Sequence, residues 1–508
     1  MMRIPLITFA LWLTVSPLWA QSGFKPEIPK VWDDAALSDW ATPIAGLNVR
    51  PKHISAKEYY SLPEDNLRTY PVYAPGHEPA GYWKMLHRVG PKLLIEPGKL
   101  KSQADWIEAG RRVFDEADFI HLRTYDPKYI REIRSPNQAP ARVAPDGTMP
   151  GIRWVPTKRG VALTFLNCSF CHTQYREDGT RITGAPFRSI APRPPETFLV
   201  WPIISRVMLD KGVLVGAPPF FMESQPIGTR LYQAYGVPWR DDETNERLKR
   251  LTQSEYEALD LAFRASGGIA RWNGSLFYPA KIPDLIGVKD RKYFDATGTH
   301  QHRGIADLMR YAALISFADT TEFGPYKMIG GGTKRLKARM PDTTLYALAL
   351  YIYSLQPPPN PNFNDQAEAG QKLFQREGCA KCHVPPLYTS NKLTLAEGFT
   401  RPKDLPASLD VLPFSVGTDP GLALKTRKGT GFYKVPSLKG VWYRGHYLHD
   451  GSVASLDEMF DPSRTKDDHL PGGWRPLGTN RRAIHGHEFG LDLTDDEREQ
   501  LIAFLKTL

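Results

Sequence analysis

The sequence predicts a mainly α protein made of two related units with long loops, preceded by an irregular N-terminal stretch. Three observations lead there. All four cysteines lie in two Cys-x-x-Cys-His runs, "NCSFCH" at 167–172 and "GCAKCH" at 378–383. The segments around those runs repeat at fixed offsets. Apolar residues recur at i, i+3 and i+4 in "EYEALDLAFRA", "DTTLYALALYIYSL" and "DEREQLIAFLKTL", while strand-like alternation is scarce.

The chain opens with "MMRIPLITFALWLTVSPLWAQSG": one arginine, an apolar run from Ile4 to Val15, then Pro17 and Ala20 before Gln21. This is the layout of a secretory signal over 1–20. The run is shorter than the roughly 20 residues a membrane-spanning helix needs. Leu18 stands where the cleavage pattern prefers a small residue, so a retained N-terminal anchor is the alternative. The expectation is a periplasmic or secreted protein without a stable membrane span. Lys and Arg number 65 against 55 Asp and Glu, a net charge of +10. In an exported chain that excess does not point to nucleic acid. It fits an acidic partner protein, an anionic membrane surface, or a basic face that is merely solvated.

Export permits disulfides, so two small Cys-x-x-Cys bridges are one reading of the cysteines, and a four-cysteine zinc site is another. Neither needs His172 or His383. Covalent haem c needs both, because two thiols bind the porphyrin and the adjacent histidine ligates iron. Two such motifs, using every cysteine, predict two covalently bound haem c groups on Cys168, Cys171 and His172 and on Cys379, Cys382 and His383.

The repeat sets the architecture. "EAGRRVF" at 108–114 matches "EAGQKLF" at 368–374, 260 positions on, each with a glycine suited to close helix approach. "KIPDLIGV" at 281–288 matches "KVPSLKGV" at 434–441, and "LALYIYSL" at 348–355 matches "LIAFLKTL" at 501–508, both 153 positions on. The haem motifs are 211 apart, so the first unit carries 49 extra residues before its haem and 58 after it. That asymmetry predicts a specialised first haem pocket. The Pro/Asn-rich "QPPPNPNFND" separates the units, with Asn364 or Asp365 as the cap of the next helix. The expected order is an irregular extension over 21–102, a first cytochrome c domain over 103–355, a linker over 356–363 and a second cytochrome c domain over 364–508. In the extension, "WDDAALSDW" and "EPAGYWKML" read as packing segments.

With "GTGFYKVPSLKGVWYRGHYLHDGSVASLDEMF" at 429–460 added, the chain resembles the bacterial di-haem cytochrome c peroxidase superfamily over roughly 103–508. Its enlarged first domain looks most like the rubber oxygenase branch. The resemblance implies that peroxide or dioxygen reacts at the N-terminal haem on His172 and that the haem on His383 relays electrons. It implies as partners a small electron carrier, cytochrome or cupredoxin, or an apolar small-molecule or polymer substrate. Calcium between the domains is a further expectation, since some relatives have it. The competing class is an electron-transfer cytochrome without catalysis.

Where the family's peroxidases usually supply a methionine, "AIHGHEFGLDLTDDE" at 483–497 offers histidines. His487 is the expected sixth ligand of the second haem, with His485 and His446 as alternatives; Met459 falls in an apparent helix. His449 is expected to bond a haem propionate or order its loop. Its first-domain counterpart is His302 in "THQHRGIADLMRY", near His300, Arg303 and Arg310, donors that would assist O–O chemistry or clamp a propionate. In "RKYFDATG", Tyr293 and Phe294 stand where many family members carry a tryptophan between the haems. Phe294 is expected to line an apolar distal pocket, and Trp272 to serve as an alternative electron relay.

Overall fold

The computed structural model describes residues 24–45, 50–118, 123–134, 143, 146–165, 167–176, 178–187, 242–250, 252, 255, 258–259, 268–269, 277–316, 322–323, 338–426, 429–476 and 478–508. The expected signal segment, Trp272 and most of "EYEALDLAFRA" lie outside the described residues.

Four helices carry the repeat: α1 (Gln103–Glu116), α2 (Asp342–Ser354), α3 (Ala367–Arg376) and α4 (Asp495–Lys506). Capping boxes start α1 at Ser102 and Asp105 and α4 at Thr494 and Glu497, satisfying amides that the first helical turn leaves unpaired. α1 packs on α2, and α3 on α4. A Cβ at Gly110 would collide with the Ala347 carbonyl, and one at Gly370 with the Gln500 carbonyl. These contacts keep the offsets of the sequence repeat, 260 between the glycines and 153 between their partners. Around them, Val113 and Phe114 join Leu345, Leu348 and Ile352 in the first core; Leu373 and Phe374 join Leu501, Phe504 and Leu505 in the second. α3 begins two residues later than the linker composition suggests. Asn364 accepts from the Gln366 amide at 2.8 Å and so caps the turn before the helix.

The mainly α expectation is corrected: the described residues form a mixture of helix and sheet. A four-stranded antiparallel sheet comprises β1 (Tyr70–Tyr73), β2 (Arg123–Thr124), β3 (Thr148–Thr157) and β4 (Gly160–Phe165), in the order β1-β3-β4-β2. Sequence periodicity missed it because its central hairpin is covered on both faces. Trp154 and Val155 are both buried, as are Ala162 and Leu163. A two-sided strand loses the alternation that marks a half-buried one, and Pro150 and Pro156 obscure β3 further. β3 and β4 lie between α1 and Cys168, so they supply part of the extra residues before the first haem motif.

The N-terminal extension contains short helices at Asp34–Ser38, Ala56–Tyr60 and Tyr82–Val89. It packs as expected: Trp32, Trp40 and Tyr59 are fully buried, and Trp32 stacks on Tyr59 with ring centres 4.8 Å apart. The Trp40 indole donates to the Gln301 carbonyl at 2.9 Å, and the Ala45 amide to Gly429 at 2.9 Å. The extension is thus bonded to both domains. Among the described residues no helix is long and apolar enough to cross a membrane.

The domains meet along 281–303. In the two-residue strand Tyr293–Phe294, Phe294 enters the first core and Tyr293 a second-domain cluster with Leu393, Leu409 and Phe432. This is the opposite-face geometry of adjacent strand residues. The Asp410 amide donates to the Tyr293 hydroxyl at 2.8 Å, and the Tyr443 hydroxyl donates to Asp284 at 3.0 Å.

Candidate functional site

In the second domain a cavity of about 310 Å³ is lined by Cys379, Cys382, His383, Tyr433, His449 and His487, among others. Cys379–Lys381 form a single 3₁₀ turn entered through Gly378 in the left-handed region, φ 75°. This turn brings both thiols and His383 to one side. The His383 Nδ1–H donates to the carbonyls of Pro436 at 3.1 Å and Tyr388 at 3.2 Å. Carbonyls only accept, so the proton sits on Nδ1 and the lone pair is on Nε2, the arrangement of a metal-ligating histidine. Burial pushes the His383 pKa down to about 4, so the ring is neutral near pH 7.

His487 faces His383 with ring centres 6.2 Å apart and planes at 61°. Two metal–nitrogen bonds of about 2 Å each, plus roughly 1 Å from each nitrogen to its ring centre, place two imidazoles on one metal about 6 Å apart. Burial holds the His487 pKa down to about 4 as well, with His383 adding to the effect. The pair therefore fits a six-coordinate iron. Of the alternatives, His485 is exposed beside Glu488. His446 is buried, and its carbonyl accepts from the Lys281 ammonium. Met459 lines the cavity from the helix Leu456–Met459. His449 also lines it, stacked on Tyr433 at 4.4 Å. With Lys281, Lys434, Arg291 and Arg444 on the wall, the site presents a cationic lining suited to propionates.

The first site repeats the proximal half. Cys168–Cys171 form one helical turn capped by Asn167, which accepts from the Phe170 amide at 3.0 Å and ties back through its own amide to the Asp115 carbonyl. The His172 Nδ1–H donates to the Pro283 carbonyl at 3.0 Å. Pro283 and Pro436 are the same residue of the "K-h-P" repeat. Their role was not read from the sequence, although their positions were. No two of the four cysteines are bonded to each other, and no three His, Cys, Asp or Glu side chains converge as a metal cluster among the described residues. The two cysteine pairs therefore do not form one four-thiol site.

His302 is buried, donating from Nδ1 to the Arg291 carbonyl at 2.7 Å and accepting the Tyr353 hydroxyl on Nε2 at 2.6 Å. Burial lowers its pKa. Arg303 is committed to Asp307 at 2.9 Å and Asp39 at 2.8 Å. Arg310 pairs with Asp307 as well. Phe294 stacks on Tyr311 at 4.4 Å and lies 4.8 Å from the His302 ring. His302, Phe294 and Arg303 are therefore gathered in one neighbourhood of the first domain. Each already has protein partners there.

No family model matches the chain. Over part of its length it is similar to the cytochrome-c peroxidase IdrP1 of Denitromonas iodatirespirans, 29% identical over 161 residues, which cover 28% of this chain and 40% of that protein. It is also similar to the methylamine utilization protein MauG of Methylorubrum extorquens, 26% identical over 148 residues, or 28% of this chain and 34% of that protein. The chain thus spans well under half the length of either relative. Among solved structures, a MauG-like protein associated with microbial copper homeostasis aligns over 55% of this chain and 86% of its own, with 18% identity and a TM-score of 0.29. The hydrazine synthase of Kuenenia stuttgartiensis aligns over 46% and 73%, with 17% identity and a TM-score of 0.28. The sequence likenesses support the resemblance to the di-haem peroxidase superfamily and do not extend to the rubber oxygenase branch.

Proposed function

We propose that the chain is an exported di-haem c-type oxidoreductase in which peroxide or dioxygen reacts at the His172 haem and the His383 haem relays electrons. The observation that carries this reading is the His383–His487 pair. His383 and His487 would both hold the second iron, and a haem held by two imidazoles would have no place for an oxidant and would suit electron storage. The reactive role then falls to the first domain, which also carries the inserted sheet.

Bound iron porphyrins would supply one-electron redox chemistry and a coordination site for the oxidant. The protein's own residues do the rest. Pro283 and Pro436 fix the tautomers of His172 and His383 and raise their basicity as ligands. Lys281 of the first domain reaches the Gly445 and His446 carbonyls of the second, and Lys434 reaches back to the Tyr293 carbonyl. These crossed lysines hold the two sites in a fixed relation. Tyr293 lines the second cavity while its neighbour Phe294 packs in the first core, so this strand forms the covalent bridge between the haem environments. A small electron-carrier protein is the proposed redox partner, with an apolar organic substrate as the alternative if dioxygen is the oxidant.

The test is EPR and visible spectroscopy of the purified holoprotein, as isolated and after half-reduction with ascorbate. A high-spin haem that changes on adding peroxide or oxygen supports the reading. Two low-spin haems that ignore both oxidants overturn it in favour of an electron carrier.

A further inference from the structure

Arg464 is the most fully buried charged side chain among the described residues, with 0% exposure, and no carboxylate among them lies within ion-pair distance of it. Its guanidinium instead donates to four backbone carbonyls. Nε bonds Met459 at 3.0 Å, Nη1 bonds Ile484, and Nη2 bonds Gly486 at 3.0 Å and His487 at 2.9 Å. The Arg464 carbonyl in turn accepts from the Ile484 amide at 2.6 Å. Three of the four acceptors lie on the 484–487 loop, and the fourth ends the helix that carries Met459 into the cavity wall.

That loop is under strain at the ligand itself. His487 has φ 50°, in the left-handed region where a side chain with a Cβ is disfavoured. Gly486, at φ 84°, lies so close to Gly417 and Thr418 that a Cβ there would overlap their backbone. The His487 amide donates to the Val416 carbonyl at 2.6 Å. Such a conformation persists only where its surroundings over-determine it. A planar fork offers five donors in fixed directions and here holds four carbonyls at once, whereas an ammonium has three donors on a flexible stem.

We propose that Arg464 is a positioning residue for the sixth ligand, pinning the 484–487 loop so that His487 stays opposite His383 through the redox cycle. This rests on the reading of His487 as a ligand. Carbon monoxide separates the two ideas. The reduced holoprotein should bind one equivalent per chain, at the first haem. In Arg464→Gln, carbon monoxide should reach the second haem at least tenfold faster than in the parent, and its low-spin EPR signal should fall at equal haem content. Arg464→Lys, which keeps the charge, should show the same defect, because the fork and not the charge holds the loop. If His487→Ala takes up a second equivalent while both Arg464 variants bind only one, the positioning role is overturned and the ligand reading stands. If His487→Ala keeps the parent's low-spin signal, the ligand reading falls and this inference falls with it. A variant that only lowers the melting temperature, with unchanged carbon monoxide uptake, also overturns it.

Discussion

The Nδ1 atom of His172 lies 3.0 Å from the carbonyl oxygen of Pro283, and 153 positions on Pro436 accepts from His383 at 3.1 Å. The two motifs thus share a proline carbonyl as acceptor, to which the second adds the Tyr388 carbonyl at 3.2 Å. The larger difference is on the opposite side, where His487 faces His383 and is the proposed second ligand. Replacing His487 with alanine should therefore convert one of the two haems to high spin and leave the other unchanged. His487→Met should restore a low-spin state at a higher reduction potential, since a thioether ligand raises the potential relative to imidazole. Redox titration monitored in the visible range reads both results; no change in either variant would remove His487 from the iron.

The glycines at the helix crossings give a second prediction. Gly110→Ala and Gly370→Ala each push a methyl group into a backbone carbonyl of the partner helix. Overpacking of this kind costs about 1–3 kcal/mol, and backbone atoms cannot rotate away as a side chain would. Gly98→Ala meets nothing within 4 Å, so it should stay within about 0.5 kcal/mol of the parent. Chemical denaturation of the three variants makes the comparison. Equal stability of all three would mean that the crossings relax freely.

The repeat was legible in the sequence because its constraints are local. A helix pair needs a small residue at its crossing, so Gly110 and Gly370 stand out, and Pro283 and Pro436 keep the 153 offset of the segments that carry them although they lie 111 and 53 positions from the histidines they accept from. The sheet was not legible, because burial on both faces of β3 and β4 removed the period-two signal. Arg464 was not legible either. Its acceptors are backbone carbonyls, which leave no side-chain pattern. The N-terminal extension showed its tryptophans but not their destination, since Trp40 bonds a carbonyl 261 residues away.

Arg303 separates the sequence expectation from the packing. Its guanidinium is shared between Asp307 and Asp39, and it donates to the Ala36 carbonyl at 3.1 Å. That arrangement staples the N-terminal extension to the first domain. Arg303→Ala should therefore lower stability by about 1 kcal/mol, within the range for partly exposed pairs. Peroxide-dependent turnover should stay within about twofold of the parent. A loss of two or more orders of magnitude in turnover at unchanged stability would instead place Arg303 in the reaction.

His302 predicts a pH dependence of stability. The ring is buried between the Arg291 carbonyl and the Tyr353 hydroxyl, and burial holds its pKa below the ordinary 6.5. Protonation would place a charge in this buried site away from its hydration, and the Tyr353 hydroxyl would have to turn from donor to acceptor on Nε2. The unfolded chain therefore takes up this proton before the folded one does. Stability is intact above about pH 6.5 and declines as the pH falls toward the folded value, by up to about 1.4 kcal/mol per pH unit for a single proton. His302→Gln has no ring to titrate, and its amide can still donate to the Arg291 carbonyl. Its melting temperature should be lower than the parent's at pH 7 but should fall less steeply between pH 7 and 5. Parallel curves for the two proteins would show that the acid sensitivity originates elsewhere.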